Sequence, residues 1–288
     1  MTVALSGEGA DELFGGYVTY QADRLARIAC LLPASLRRAA LVAAHRLLAV
    51  SDDKISLEYE VKRFLEGTFL PPLEAHYYWN GGFSVRQRQA LCNFPAAPWN
   101  PALPPANGLD RFLCFDQLYY LPDDILAKVD RMSMAHSLEV RPPFLDHEIV
   151  EFAAALPERL KIRGRQQKYL LRRLMRGKLP DAVLTRKKVG FDIPAHDWLR
   201  TTLKPLLCEA LNPAVLARTG LFHPEAVRQL MSDHFDRRVN AGFHLWGLMI
   251  LLLWMEKWQI QSPLEPLRQP ASLAEPAALE ATATPSFS

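Results

Sequence analysis

Cysteine is scarce and scattered in this chain. Cys30, Cys92, Cys114 and Cys208 are the only four in 288 residues, and no two form a CxxC pair. Such spacing gives no basis for a disulfide framework and predicts buried or incidental thiols in a reducing, cytoplasmic setting. The eight histidines show no HxxxH spacing, so no zinc site is expected. Neither sign of charge is in excess: 34 basic residues face 31 acidic ones, a net charge of +3 that makes no case for a nucleic-acid partner. No apolar run reaches bilayer length. The most apolar stretch, Phe243 to Trp258, is too short to span and carries Glu256 and Lys257 at its end, which predicts a buried core helix and no membrane partner. No internal repeat is visible, and Met1 is followed almost at once by an acidic loop where a secretory leader would place its apolar stretch.

A hydrophobic fraction of 49% is enough for a substantial core, in one large domain or two small ones. The most informative run is Leu5 to Tyr17, Leu-Ser-Gly-Glu-Gly-Ala-Asp-Glu-Leu-Phe-Gly-Gly-Tyr. It packs glycines 7, 9, 15 and 16 and the carboxylates Glu8, Asp11 and Glu12 between the apolar Val3-Ala4-Leu5 and a helical run. Strand, Gly-rich turn and helix start are the shape of a phosphate-handling loop. Carboxylates repel bare phosphate, so Glu8, Asp11 and Glu12 imply a metal ion or a proton-transfer role. Glu12 is assigned to the helix N-terminus, where an acid complements the dipole. The alternative is a glycine turn capping a helix.

Few later segments look like strands, so Val3–Leu5 is expected to lack a partner and to leave an open sheet edge. Helical spacing runs from Asp11 to about Val50, broken near Pro33, with Leu36, Ala39, Ala40, Ala43, Ala44 and Leu47 in phase. Ser51-Asp52-Asp53 supplies N-cap residues for a helix over 54–67, and 85–92 fits another. Residues 93–109, rich in proline, form a loop. Asp110–Tyr120 and Asp123–Ser137 are expected as two helices joined at Pro122. Further helices fit 147–155, 166–177, 194–210, 223–235 and 240–260. Residues 262–288, rich in Pro, Ala, Ser and Thr, are expected to be a disordered tail.

Three later segments carry candidate chemistry. Asp123 to Asp146 alternates in charge, with an Asp124–Lys128 pair at helical spacing. Met132, Met134 and Leu138 are assigned to packing. Arg131 could orient an acidic substrate in a bidentate contact. Glu139, Arg141 and Asp146 are either a buried ionic network or direct substrate contacts. Lys168 is placed in the first turns of a helix with Leu170, Leu171 and Leu174 facing the core; a solvated lysine is the alternative. Arg186-Lys187-Lys188-Val-Gly-Phe191 is a basic loop, followed by Trp198, assigned to the core.

The run Ser-Gly-Glu-Gly-x-Asp-Glu-x-Phe-Gly-Gly-Tyr at residues 6–17 resembles the glutamine-hydrolysing asparagine synthetase family. So do Glu139-x-Arg141-x-Pro143-Phe144-Leu145-Asp146, Lys168-x-x-Leu171-Arg172 and Arg186-x-Lys188-x-x-Phe191. The resemblance implies the C-terminal part of a synthetase domain over residues 1–261. Its fold would be an α/β remnant, mostly α-helical, of the adenine nucleotide alpha hydrolase-like (PP-loop ATP pyrophosphatase) class, lacking its first strands.

The implied activity is ATP-dependent amidation of aspartate through an aspartyl-adenylate, with ammonia derived from glutamine and with Mg2+. Carried over position by position, Ser6 and Gly7 bind the nucleotide, Glu8 assists proton removal from ammonia, Asp11 approaches magnesium pyrophosphate, and Lys168 contacts phosphate. Arg131, Glu139, Arg141, Asp146 and Lys188 are implied substrate-side residues. Two family elements are absent: Thr2 stands where the glutaminase has its nucleophilic cysteine, and no Ser-Gly-Gly-x-Asp-Ser loop occurs. A glutaminase and pyrophosphate-loop segment, in cis or on another chain, is therefore an expected partner, and a homodimer is left open. The alternatives are an amide ligase for another carboxylate and a non-catalytic scaffold.

Overall fold

A computed structural model describes residues 2–51, 56–95, 101–104, 106–186, 193–262 and 264. Almost all regular structure is helical. The order is β1 (Val3–Leu5), α1 (Ala10–Phe14), α2 (Thr19–Ala29), α3 (Ala34–Leu47), α4 (Leu57–Gly67), α5 (Pro72–Trp79), α6 (Val85–Leu91) and α7 (Gly108–Phe115). A π-helical run (Asp116–Leu126) leads into α8 (Ala127–Met134), β2 (Glu139–Arg141) and a 3-10 turn (Pro143–Leu145). The chain continues through α9 (His147–Ala155), α10 (Glu158–Lys161), α11 (Tyr169–Leu174), α12 (Asp181–Thr185), α13 (Ala195–Arg200), α14 (Lys204–Ala210), α15 (Pro213–Thr219), α16 (Pro224–Phe235) and α17 (Gly242–Lys257).

The first strand has a partner, contrary to the expectation from the sequence. β1 and β2 pair in parallel, with Val3 opposite Glu139 and Leu5 opposite Arg141. Three residues are too short a run for alternation to announce a strand, so β2 could not be read locally. Val3 and Leu5 remain exposed, so the two-stranded sheet is not covered as parallel sheets usually are.

Pro122 does not separate two helices. It lies inside the π-helical run, which joins α7 to α8 without a break. The wider π turn leaves room for a ring that would collide with the carbonyl four residues back in an α-helix.

Other boundaries also shift. The cap of α4 is Ser56, whose side chain accepts from Tyr59 N, while Asp52 and Asp53 lie outside the described residues. The stretch 194–210 divides at Thr201 into α13 and α14. The 166–177 stretch shrinks to the short α11. Helix α3 forms as its spacing predicts, but only Ala44 is buried on it. Met132, Met134, Leu174 and Trp198 are more exposed than expected of packing residues.

Among the described residues, three apolar clusters form the core. The largest joins α13 to α17 through Leu199, Leu207, Leu216, Val227, Leu245 and Met249. Helix α17 is its centre, buried on one side and exposed at Ile250 and Trp254. No helix among the described residues is long and apolar enough to cross a membrane. A second cluster gathers Tyr20, Leu73, Leu109, Phe112 and Ile162. The third, Leu13, Phe14 and Ala153 with Phe144, Leu170 and Leu171 against it, underlies the Gly-rich loop.

Candidate active site

The loop between β1 and α1 is fixed from both sides. Ser6 N donates to Arg141 O at 3.0 Å, extending the β1–β2 ladder by one bond. Gly9 then turns with φ 87° and caps α1, and its bare α-carbon meets the side chain of Leu145, where a methyl group would overlap. A left-handed turn in such close contact needs glycine. Leu13 and Phe14 face down into the third cluster, and Gly15, with φ 68°, ends the helix. The turn before α1 thus presents Glu8, and short, sharply bounded α1 presents Asp11, above an apolar floor.

Three separate sequence motifs converge here. Arg141 and Leu145 hold the loop through backbone and packing. Lys168 arrives from the far side: its Nζ lies 2.9 Å from Asp11 Oδ1, and both side chains are largely covered. Lys168 is the N-cap of α11 and left-handed, φ 49°, rather than part of the helix. A non-glycine residue in that region costs about 1–3 kcal/mol and concentrates at functional positions. Gly16 closes the arrangement, because a side chain there would overlap both Asp11 and Lys168.

Ser6 Oγ and Glu8 Oε2 are buried and have no hydrogen-bond partner among the described residues. Beside them a methyl group at Gly7 would meet nothing within 4 Å. Buried polar atoms ordinarily find partners, so two orphans beside an open glycine mark a place for a ligand.

The other sequence candidates fall differently. Glu139 and Arg141 form an exposed ion pair at 2.7 Å, not a buried network, because side chains of the open two-stranded sheet face solvent. Asp146 Oδ1 accepts from Glu148 N at 3.0 Å and caps α9. Its carboxylate is engaged in a helix start. Arg131 is exposed on α8, with no hydrogen bond or ion pair joining its side chain to the loop among the described residues. Lys188 lies outside the described residues. Asp124 and Lys128 do pair, at 3.8 Å, on the surface.

Glu12 stands in the first turn of α1, where the sequence puts it, but it is buried there. It is 1% exposed, and the Tyr17 hydroxyl donates to its carboxylate. Burial pushes its pKa up, and the Tyr17 hydrogen bond partly offsets that. Gln117 Nε2 donates to Glu12 O at 3.1 Å and ties α1 to the π-helical run.

Behind it lies a fully buried set that no local spacing announces. His76 Nδ1 is 2.7 Å from Asp23, and His76 Nε2 is 3.0 Å from Asp116. Tyr20 donates to Asp116 at 2.6 Å and stacks on the imidazole. Burial pulls the His76 pKa down, but the hydrogen bonds to Asp116 and Asp23 outweigh it and raise it to about 9. Its members come from α2, α5 and the π-helical run. The only sequence signal would have been apolar helix faces interrupted by single polar residues.

Together these features define a class: a mostly helical domain whose strand, glycine loop and short helix present a carboxylate and a lysine over an open cradle. The asparagine synthase family model matches residues 1–259, and the chain belongs to that family.

Among curated relatives, asparagine synthetase [glutamine-hydrolyzing] 1 of Bacillus subtilis is 30% identical over 264 residues, covering 88% of this chain and 40% of that protein. A putative asparagine synthetase [glutamine-hydrolyzing] of Mycobacterium bovis is 34% identical, covering 88% of this chain and 39% of its own length. Amidase chry2 of Gibberella zeae is 23% identical over 81% of this chain. The chain thus spans about two fifths of the length of the relatives it matches. No solved structure matches it.

Proposed function

We propose that this chain forms the C-terminal part of an ATP-dependent carbon–nitrogen ligase that amidates aspartate. The observation that carries the proposal is the convergence of Glu8, Asp11 and Lys168 at one loop, with Ser6 Oγ and Glu8 Oε2 buried and unpartnered beside Gly7. Ser6 and the open Gly7 suit the nucleotide, since amides at the carboxyl end of a parallel strand are where such ligands bind.

Glu8 is the acceptor for a proton leaving the attacking amine, because its buried oxygen has no competing donor among the described residues. Lys168 supplies positive charge where charge builds on the departing pyrophosphate, and Asp11 holds its ammonium in place until then. Magnesium bound through substrate phosphates takes only one or two protein carboxylates, and Asp11 fits that need. Such an ion would neutralise phosphate charge. The remaining relatives' length, including a glutaminase, would deliver ammonia and complete the nucleotide pocket, in cis or from another chain, in a reducing cytoplasmic setting.

Similarity to amidase chry2 favours a second function: the same chemistry at another carboxylate or amide. One assay separates the two. Pyrophosphate release with ATP and ammonium is measured for the chain rejoined to the rest of the Bacillus subtilis relative. Release that depends on aspartate and is lost in Lys168→Ala supports the proposal. A folded rejoined protein that releases nothing with aspartate removes it as substrate.

A further inference from the structure

A cavity of about 380 Å3 lies between α2, the α4–α5 turn and the start of α7, lined by residues of the second cluster's rim rather than by the Gly-rich loop. Its walls include Leu70, Pro72, Trp79 and Phe112. Arg27 and Arg111 also line it, both exposed and without an ion pair among the described residues. These two cations stand at an apolar hollow of ligand size, whereas Arg24 on the same helix as Arg27 is paired with Glu158.

Among the described residues of the lining the one acid is Asp23; its carboxylate is turned into the buried set with His76, and the Arg27 charge acts on it only weakly, behind the effects of burial and His76. Within that set the imidazolium balances one of the two carboxylates, Asp23 and Asp116, which leaves one negative charge against two arginines. The balance favours a single added anion. Mostly apolar walls with a few convergent polar groups are the ordinary composition of a small-molecule site.

We infer that this cavity binds a small organic acid, its carboxylate against Arg27 and Arg111 and its apolar body against Trp79 and Phe112. Such an acid would reach the buried set through Asp23, and through Asp116 the π-helical run that touches α1. The inference stands apart from the amidation chemistry and needs no activity to test.

Cys30 offers a local reporter, because it lines the same cavity and is exposed. The full chain is alkylated with N-ethylmaleimide at constant ionic strength, and the Cys30 peptide is quantified by mass spectrometry. The acid 3-phenylpropionate is expected to slow the reaction saturably. The neutral 3-phenylpropionamide should need about tenfold more for equal protection, and so should the acid with Arg27→Gln/Arg111→Gln, since charge-assisted hydrogen bonds are lost. Both arginines are exposed, so the double variant keeps its fold, checked by its melting temperature. Absence of protection by the acid, equal protection by acid and amide, or undiminished protection in the double variant would each overturn the inference.

Discussion

The Lys168 ammonium stands 2.9 Å from the Asp11 carboxylate, and the backbone that carries it there is left-handed. Strain and ion pair belong together: the αL turn before α11 aims the side chain back at α1, where a helical Lys168 would have followed the helix surface. The pair is only partly solvated, so it is worth more than an exposed pair, although solvent screening keeps it to a modest contribution.

Replacing Lys168 by glycine therefore separates strain from charge. Lys168→Gly should be more stable than Lys168→Ala by about 1 kcal/mol, because glycine adopts φ 49° without a Cβ penalty. Both should lose phosphate-dependent activity equally in the rejoined protein. Equal denaturation midpoints for the two variants would count against a strained Lys168.

Gly16→Ala tests the same junction from the backbone side. The added methyl would overlap Asp11 and Lys168, so one must move. Overpacking of this kind costs roughly 1–3 kcal/mol. Urea denaturation should show that loss, and the rejoined enzyme should bind nucleotide more weakly. A wild-type midpoint would contradict close packing of Gly16 against Asp11 and Lys168.

Tyr17→Phe leaves the buried Glu12 carboxylate without its hydroxyl donor. The expected cost is about 1–3 kcal/mol, the penalty of an unsatisfied buried acceptor. Glu12→Gln should be milder, since its amide can still accept from Tyr17. Thermal unfolding of the two variants side by side reads the difference.

His76 gives a pH dependence. Its folded pKa, about 9, lies above the ordinary value of 6.5, so the folded state binds its proton more tightly. The stabilisation is complete below pH 6.5 and is lost as pH rises through about 9. Denaturant midpoints should decline over that window. In His76→Gln the decline should flatten, with a lower midpoint at pH 6 because Asp23 and Asp116 then face each other without a cation. A wild-type profile flat from pH 6.5 to 9 would contradict the charged imidazole.

Leu245, fully buried at the centre of the largest cluster, sets the scale for packing. Leu245→Ala should cost about 2–5 kcal/mol by lost burial and a residual cavity. Ile250→Ala, on the exposed side of the same helix, should cost far less, and calorimetry on both checks the sidedness of α17.

The sequence by itself determined the loop at residues 6–17, the family, most helices and the apolar character of α17. Glycines at forced turns and helical spacing are local signals, complete within a few residues, whereas the caps Ser84 and Asn212 are not read from them. It also singled out Glu8, Asp11 and Lys168. Tertiary structure alone decided what they touch. β2 is three residues long and exists because β1 lies beside it. The π-helical run carries Pro122 past the point where local rules end a helix, and α7 and α8 continue on either side of it. Glu139, Arg141 and Asp146 became a surface pair and a cap because an open sheet and a helix start claimed them. His76 meets Asp23 and Asp116 only when three distant helices pack. Local hydrogen bonding and periodicity are written in neighbouring residues, whereas burial, pairing and charge compensation depend on chain segments that meet only in the folded protein.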